Sequence, residues 1–407
     1  MGIKKVFYLS IIGLLIHSFS TAQEVLQWRG DQRSGVYHEK NLLKVWPETG
    51  PDLLWEFPEL GAGYGSPAIT TKNIFINGEM DAESYLLSLD LTGKLIWKSK
   101  IGPEWVASYP GSRTTPTVVG ELVYVTTGMG KVACFEAQTG KVKWSLDMVG
   151  DLHGRNTRFG FSESVLVDGN SVFCCPGSPD TNVVALDRIT GKIKWICKAL
   201  GQLPAYCSPL LIKLPARIIL LTFTRNALLA IDTKDGKLLW THEQQGDGDV
   251  HVNTPLFDNG FIYYIAGNGN GTVKLQLSED GAGITEIWKN QDCDGLMGGF
   301  IKMDDFIYAS GYVNRVWYSL DANTGSIVDT LAFNTGSTIF ADGLLYLYNE
   351  KGQLGLCKPN GPKLEIINSF KIIKGTKAHF AHPVICNGIL YLRRGNSLLA
   401  YDIKNKS

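Results

Sequence analysis

Side chains that could do chemistry stand at a few widely separated points in the sequence. Glu163 and Asn253 carry the oxygen atoms that hard cations such as calcium prefer. Asp247 and Asp249 carry carboxylates that could accept a proton. A guanidinium, two rings suited to stacking and two adjacent thiols complete the candidates, at Arg113, Trp105, Tyr206, Cys174 and Cys175. Such distant residues can act together only if the fold brings them to one place.

A repeated phrase indicates which fold that is. It runs from an Asp or Glu through Thr-Gly or Asp-Gly to a Trp, and its copies end at Trp97, Trp144, Trp195, Trp240 and, more loosely, Trp288. The acidic side chain can bond the backbone two residues on, and the Gly suits the positive-φ position of a hairpin turn. Successive Trp residues are roughly 45 residues apart, which is the period of a four-stranded propeller blade.

The number of first strands predicts the number of blades. Eight apolar segments can begin a blade, near Ser66, Thr115, Ser164, Ser208, Thr254, Gly299, Thr338 and Pro383. The last blade lacks a fourth strand, and Leu53 to Phe57 reads as a spare one. We therefore predict an all-β, eight-bladed β-propeller with four-stranded antiparallel blades, closed by this N-terminal strand. Seven blades is the alternative, because the sixth and seventh copies of the phrase are degenerate.

The N-terminal region divides into three predicted parts. Residues 1–22 have two lysines, a short apolar run and small residues before a cleavage point after Ala22, as in a signal peptide. Residues 23–51 form a lead-in segment, and residues 52–407 form the propeller. This organisation predicts a periplasmic or secreted protein without a membrane anchor, and a membrane-anchored N-terminus is the alternative.

Composition argues against a nucleic-acid partner and against a disulfide framework. Lys plus Arg and Asp plus Glu each number 39, and no basic stripe occurs, so we expect no nucleic-acid partner. The eight cysteines are scattered without a C-x-x-C motif, which favours packed thiols over a disulfide framework.

From Leu53 to Asp402 the repeat resembles that of the quinoprotein-like propellers, and Gln27 to Gly35 looks like the lead-in of short exported members of that family. The resemblance implies two kinds of protein. Some members are periplasmic dehydrogenases that hold pyrroloquinoline quinone and calcium and oxidise alcohols or sugars. Others, similar to the assembly lipoprotein BamB, bind no cofactor and act as scaffolds. A shared fold does not decide between them.

The resemblance also suggests roles for the candidate residues. Glu163 and Asn253 would bind the metal, while Asp247 or Asp249 would act as the base. The quinone would contact Arg113, Trp105, Tyr206 and an adjacent-cysteine disulfide of Cys174 and Cys175. Two alternatives stay open: an ion pair between Glu163 and Arg113 in a water-filled channel, and two thiols on opposite sides of one strand.

In a propeller, the loop before each first strand opens onto one face of the channel. Candidate side chains on that face are Tyr64, Arg113, His153, Arg155, Glu163, Tyr206, His251, Asn253, His379 and His382. We therefore expect an exported propeller that binds a small-molecule or carbohydrate ligand there, with quinone-dependent oxidation as one hypothesis. The alternative is a cofactor-free scaffold that binds an envelope protein.

Overall fold

A computed structural model describes residues 23–244, 250–267, 269–296 and 298–406 of the chain. Its regular structure is almost all strand, with one 3-10 turn at Asp31–Arg33. The strands form eight antiparallel sheets of four, and one of these gains a fifth strand that pairs in parallel. The predicted eight-bladed, all-β propeller is thus confirmed, and the seven-bladed alternative is excluded. Within the described residues, no helix has the length and apolar character needed to cross a membrane.

The strand boundaries follow the repeat. Two strands precede the first blade, β1 (Val36–Tyr37) and β2 (Asp52–Phe57). Blades 1 to 4 contain β3 (Ala68–Ile69), β4 (Asn73–Met80), β5 (Glu83–Asp90), β6 (Leu95–Pro103), β7 (Thr117–Val119), β8 (Leu122–Thr126), β9 (Lys131–Glu136), β10 (Val142–Asp147), β11 (Leu166–Asp168), β12 (Ser171–Cys174), β13 (Val183–Asp187), β14 (Ile193–Cys197), β15 (Leu210–Lys213), β16 (Ile218–Thr224), β17 (Ala227–Asp232) and β18 (Leu238–Glu243). Blades 5 to 8 contain β19 (Leu256–Asp258), β20 (Phe261–Ala266), β21 (Gly271–Leu277), β22 (Ile284–Asn290), β23 (Ile301–Met303), β24 (Phe306–Ser310), β25 (Trp317–Asp321), β26 (Ile327–Leu331), β27 (Gly336–Ala341), β28 (Leu344–Asn349), β29 (Gln353–Asn360), β30 (Lys363–Lys371), β31 (Val384–Cys386), β32 (Ile389–Arg394) and β33 (Ser397–Asp402).

Both ends of the propeller sequence meet in blade 8. Strand β2 pairs antiparallel with β33, from Asp52 opposite Asp402 to Phe57 opposite Leu398. The N-terminal strand therefore completes the last blade, as predicted from the spare Trp55 strand. The closure removes the edges that an open ring would expose.

The lead-in segment joins the ring from inside. Strand β1 pairs in parallel with the innermost strand of blade 7, with Val36 opposite Phe340. Farther along the lead-in, Trp46 is buried against Tyr346 and Phe370 of the same blade. The lead-in is thus part of the packed structure and makes contacts at several blades.

The tryptophans of the repeat lock each blade onto the next. Each indole N–H donates to a carbonyl in the turn between the third and fourth strands of the following blade, over 2.9–3.2 Å, at Trp55, Trp97, Trp144, Trp195, Trp240 and Trp288. At five of these contacts the ring lies against a turn glycine with positive φ: Gly93, Gly140, Gly191, Gly236 and Gly325. The glycine is needed both for its φ angle and for the space that the neighbouring ring takes up.

We expect Gly191→Ala to lower the free energy of unfolding by about 2 kcal/mol, because the new Cβ would lie 2.7 Å from the Trp144 ring at a φ of 72°. Gly169→Ala in the same blade is the matched control, with a positive φ of 53° but no atom within 4 Å. It should cost only about 1 kcal/mol, the price of the left-handed backbone. Urea unfolding of the two variants measures the difference, and equal losses would show that the ring contact contributes nothing.

Candidate functional site

The loops that connect the fourth strand of one blade to the first strand of the next meet around a cavity of about 250 Å³. Its wall is formed by Trp28, Tyr64, Tyr109, Arg113, Phe159, Ser162, Tyr206, Ser208, Val250, Val252, Leu296, Gly298, Phe380 and His382. The residues other than Trp28 come from seven such loops, as the propeller topology predicts for one face of the channel. We call this site the aromatic cavity.

Five rings form a continuous arc along the aromatic cavity. Ring centroids lie 5.5 Å apart for Tyr64 and Phe380, and 5.8 Å apart for Phe380 and Tyr109. The arc continues from Tyr109 to Phe159 at 6.1 Å and from Phe159 to Tyr206 at 5.8 Å. Tyr109 is 55% exposed, so the arc reaches from the channel to the surface. Tilted rings at these distances attract one another and present faces on which a flat ligand can stack.

Arg113 positions the most exposed ring of the arc. Its guanidinium donates to the carbonyls of Ser108, Tyr109 and Gly111 over 2.6–2.8 Å. These bonds hold a loop in which Tyr109 has a φ of 44°, a value uncommon for a bulky residue. Burial lowers the pKa of Arg113, and the nearby carboxylate of Glu104 acts in the opposite direction. The guanidinium is therefore engaged mainly by its own loop.

The floor of the aromatic cavity is the lead-in segment. Trp28 packs edge-on against His382 with centroids 5.1 Å apart. The next residue, Arg29, is 2% exposed and donates to the carbonyls of Thr338 and Phe300 at 2.6 and 2.8 Å. Arg33 is 1% exposed and donates to the carbonyls of Ser164 and Val165, both at 2.8 Å. The two arginines tie the lead-in to blades on opposite sides of the channel.

The predicted metal ligands lie outside the wall of the aromatic cavity. Glu163 is buried, its carboxylate accepts a hydrogen bond from the N–H of Cys175, and burial raises its pKa to about 8. The charge of Arg33, rather than of Arg113, acts on this carboxyl and favours its ionised form. Asn253 donates to the carbonyls of Ile265 and Gly295 and accepts from the N–H of Gly299 at 2.5 Å.

The other predicted residues separate into three groups. Arg113 and Tyr206 come together in the wall of the aromatic cavity. Trp105 stands beside it, with its indole N–H donating to Ser108 of the same loop. Cys174, the last residue of β12, and Cys175, the residue after it, are free, buried thiols that belong to different apolar clusters. Asp247 and Asp249 lie outside the described residues.

Among the described residues, the donor groups do not fit a calcium ion that holds pyrroloquinoline quinone. Calcium takes six to eight oxygen ligands. The described wall of the aromatic cavity contains no carboxylate, the Asn253 amide oxygen is already bonded, and the Glu163 carboxyl is buried under the influence of the Arg33 charge. Nowhere in the described parts of the chain do three or more His, Cys, Asp or Glu side chains gather as a metal site requires. Three histidines of the candidate channel face have separate environments, since His382 contacts Arg29, His379 contacts Tyr348 and His251 bonds the carbonyl of Arg225.

Sequence reasoning found two of the five rings of the arc and missed the other three. Tyr64, Arg113, Tyr206 and His382 were identified from their positions before first strands, whereas Trp28, Tyr109, Phe159 and Phe380 were not. The available signal was an aromatic residue in five neighbouring loops of the same type. It is weak, because these loops differ in length and their tips have no fixed spacing from the strands.

Comparison with known proteins agrees with this architecture. A family model described as outer membrane protein assembly factor BamB matches residues 82–331, more than half of the chain. The BamB of Yersinia pestis is 24% identical over 288 residues, which cover 65% of this chain and 68% of that protein. Among solved structures, the BamB of Moraxella catarrhalis aligns with a TM-score of 0.63 at 13% identity, covering 86% of this chain and 99% of that one. A europium-containing methanol dehydrogenase aligns with a TM-score of 0.70, also at 13% identity, covering 91% and 90%. These structural likenesses show the fold alone, and the family match shows that the chain belongs to the quinoprotein-like propeller family described as outer membrane protein assembly factor BamB.

Proposed function

We propose that this chain is a binding protein that captures a neutral sugar ring in the aromatic cavity. The observation that carries the proposal is the arc of five aromatic rings. Sugars have flat C–H faces that stack on aromatic rings, and their hydroxyls bond to polar groups at the edge of a site. Ser162, Ser208 and the tyrosine hydroxyls supply such groups in the same wall.

The charge of the wall favours a neutral ligand. Arg113 is its one permanently charged side chain among the described residues, and three carbonyls of its own loop already accept its hydrogen bonds. A ligand with several carboxylates would lack partners there and would lose its hydration without compensation. Stacking and hydroxyl contacts on a nearly uncharged surface suit a saccharide better than a polycarboxylate quinone.

We also propose that the protein acts outside the cytoplasm. Residues 1–22 would be a signal peptide cleaved after Ala22, followed by the lead-in of residues 23–51 and the propeller of residues 52–407. The resemblance to an outer membrane assembly factor supports a place in the cell envelope. N-terminal sequencing of the exported protein tests this directly, and an intact residue 1 on the exported form would contradict it.

Replacing Tyr109 with alanine should weaken saccharide binding about 10-fold, because a stacked ring in such a site contributes about 1–1.5 kcal/mol. Tyr312→Ala is the matched control, since Tyr312 is also exposed but lies outside the wall of the aromatic cavity. A panel of neutral oligosaccharides is screened by thermal shift, and the best ligand is then titrated by calorimetry.

Two outcomes would contradict this proposal. One is the lack of any thermal shift with millimolar saccharide, and the other is an equal loss of affinity in Tyr109→Ala and Tyr312→Ala. The panel includes pyrroloquinoline quinone with calcium as a separate arm. Micromolar binding in that arm alone would favour a quinone-dependent oxidoreductase instead.

A scaffold that binds an envelope protein is the second candidate function. The family match favours it, and so do the exposed Tyr109 of the aromatic cavity and the exposed Val106 of the same loop. Exposed aromatic residues often anchor a protein partner. A photo-crosslinking amino acid at position 109, with position 312 as the control, would trap such a partner in cells. Crosslinks to a polypeptide at position 109 alone would support the scaffold over the sugar-binding protein.

A further inference from the structure

The first strand of every blade has one residue whose main-chain groups face the channel. A hairpin turn joins the first and second strands, and the residues that flank the turn bond to each other across it. Hydrogen bonding alternates along an antiparallel strand. The residue that precedes the turn-flanking residue of the first strand therefore points its N–H and C=O away from the second strand and into the channel. The eight equivalent positions are Ile69, Val118, Val167, Lys213, Phe257, Lys302, Phe340 and Ile385.

The lead-in segment already occupies three of these positions. The N–H of Ile69 donates to the carbonyl of Val25 at 2.7 Å, and the N–H of Val118 donates to that of Leu26 at 2.7 Å. In blade 7 the N–H of Phe340 donates to the carbonyl of Gly35 at 2.8 Å. These bonds confirm the direction of the inward-facing groups. They also show that extended main chain is what the inner edge of this propeller binds.

The equivalent positions in blades 3 to 6 open onto a second cavity of about 640 Å³. Val167, Lys213, Phe257 and Lys302 all line it, and no bond from their main-chain N–H groups to the lead-in is found among the described residues. The opposite wall is the lead-in itself, from Asp31 to Ser34. This inner-edge cavity lies at the turn end of the first strands, whereas the aromatic cavity lies at their beginning.

We propose that the inner-edge cavity binds a short extended peptide through its main chain. Consecutive lead-in residues, Val25 and Leu26, serve consecutive blades, so a peptide of a few residues can meet one inward-facing position in each blade that it crosses. Main-chain recognition of this kind is strand addition to a sheet edge, and it tolerates varied side chains. The volume of the inner-edge cavity, about 640 Å³, is in the usual range for a ligand site.

The charges around the inner-edge cavity favour an uncharged peptide segment. Lys213 is paired with Asp168 at 2.7 Å, and Lys302 is paired with Asp258. Each lysine is thus neutralised by the carboxylate of the preceding blade. The other charged side chains of the wall are Asp31, Asp304 and Arg33, so its four acidic and three basic groups leave a net charge of −1. So small a net charge does not select a strongly acidic or basic ligand. The proposal is independent of the function of the aromatic cavity, because the two cavities lie at different ends of the first strands.

The probe is a capped synthetic peptide that copies Val25 to Trp28, an uncharged part of the lead-in whose first two residues bond to blades 1 and 2. Amide hydrogen exchange of the whole protein is measured with and without millimolar peptide. We expect added protection at Val167, Lys213, Phe257 and Lys302, and none in the loops around the aromatic cavity. Protection at those loops instead, or at none of the four positions, would overturn the proposal.

Two substitutions at one position separate main-chain from side-chain recognition. Phe257→Pro removes the inward-facing N–H, which proline at a strand edge can do without breaking the pairing to β20. Phe257→Ala removes the ring and keeps the N–H. We expect Phe257→Pro to weaken peptide binding about 5-fold or more and Phe257→Ala to leave it within about 2-fold, from the usual net contribution of one hydrogen bond. Equal affinities of the two variants would contradict main-chain recognition, and the exchange pattern of the unsubstituted protein decides the matter if the proline variant does not fold.

Discussion

Replacing Arg29 with methionine is expected to lower the free energy of unfolding by about 3–5 kcal/mol, because several buried carbonyls lose their donor and each such loss costs about 1–3 kcal/mol. The guanidinium is almost wholly buried and donates to the carbonyls of Ser34, Phe300 and Thr338. Methionine fills similar space but leaves these acceptors without their donor. Burial lowers the pKa of Arg29 only to about 10, so the residue is charged at neutral pH and its loss removes charge-assisted bonds.

The measurement is urea unfolding at neutral pH, followed by both circular dichroism and tryptophan fluorescence. Arg225→Met is the matched control, because the Arg225 side chain is exposed and surface substitutions usually change stability by less than about 0.5 kcal/mol. If Arg29→Met were no more harmful than the control, the lead-in would not hold the blades together. Two-state behaviour must be checked in each variant, since a loosened lead-in could unfold before the ring.

A second large effect is expected for Glu163→Gln, which should stabilise the protein as the pH rises. The pKa of Glu163 is raised by burial from an ordinary value of 4.5 to about 8. Between these values the folded state holds a proton that the unfolded state has lost, so the native protein loses stability with increasing pH. Glutamine has the same shape and no such proton. The difference in unfolding free energy should be below about 1 kcal/mol near pH 5 and reach on the order of 4 kcal/mol near pH 8.

Unfolding at several pH values between 5 and 8 gives this difference as a slope. Glu279→Gln, at an exposed position, is the control and should run parallel to the unsubstituted protein. A gap between Glu163→Gln and the unsubstituted protein that does not change with pH would show that Glu163 is ionised in the folded state. In that case the charge of Arg33 would outweigh the cost of burial.

The fold was predictable because each copy of the repeat specifies its turn and its strands through residues that are close together in the sequence. In the first copy, Asp90 and Gly93 form a tight turn, and Trp97 marks the strand that follows. The same residue types at the same spacing predict the turn in the other copies. The ring closure could also be predicted, since Trp55 ends its strand as the other copies do. In blade 7 only Asn360 and Gly361 remain of the phrase, yet its strands form, because apolar alternation suffices when both neighbouring blades bury the sheet.

The site was predictable only as far as position goes. The sequence placed Glu163 and Asn253 correctly before first strands, but a single rotamer decides whether such a side chain enters the channel or bonds to nearby backbone. The side chains of Glu163 and Asn253 both bond to nearby backbone groups. Arg29 and Arg33 were beyond prediction for a different reason. Their partners are carbonyl oxygens, which every residue has, so no complementary pattern of acidic residues marks them.

The pairing of β2 with β33 has a consequence for how the molecule is made. The pairing joins segments that are far apart in the chain. The entropy cost of closing that long loop must therefore be met before the contact stabilises the fold. Blades in the middle of the sequence can form from local hairpins, but the circle itself is completed late. Until then β33 offers a bare strand edge, which is the feature through which partly folded β-proteins associate with one another. Pairing of β2 with β33 in blade 8 is therefore the folding step at which the rate of assembly, rather than the stability of the final fold, protects the protein from aggregation.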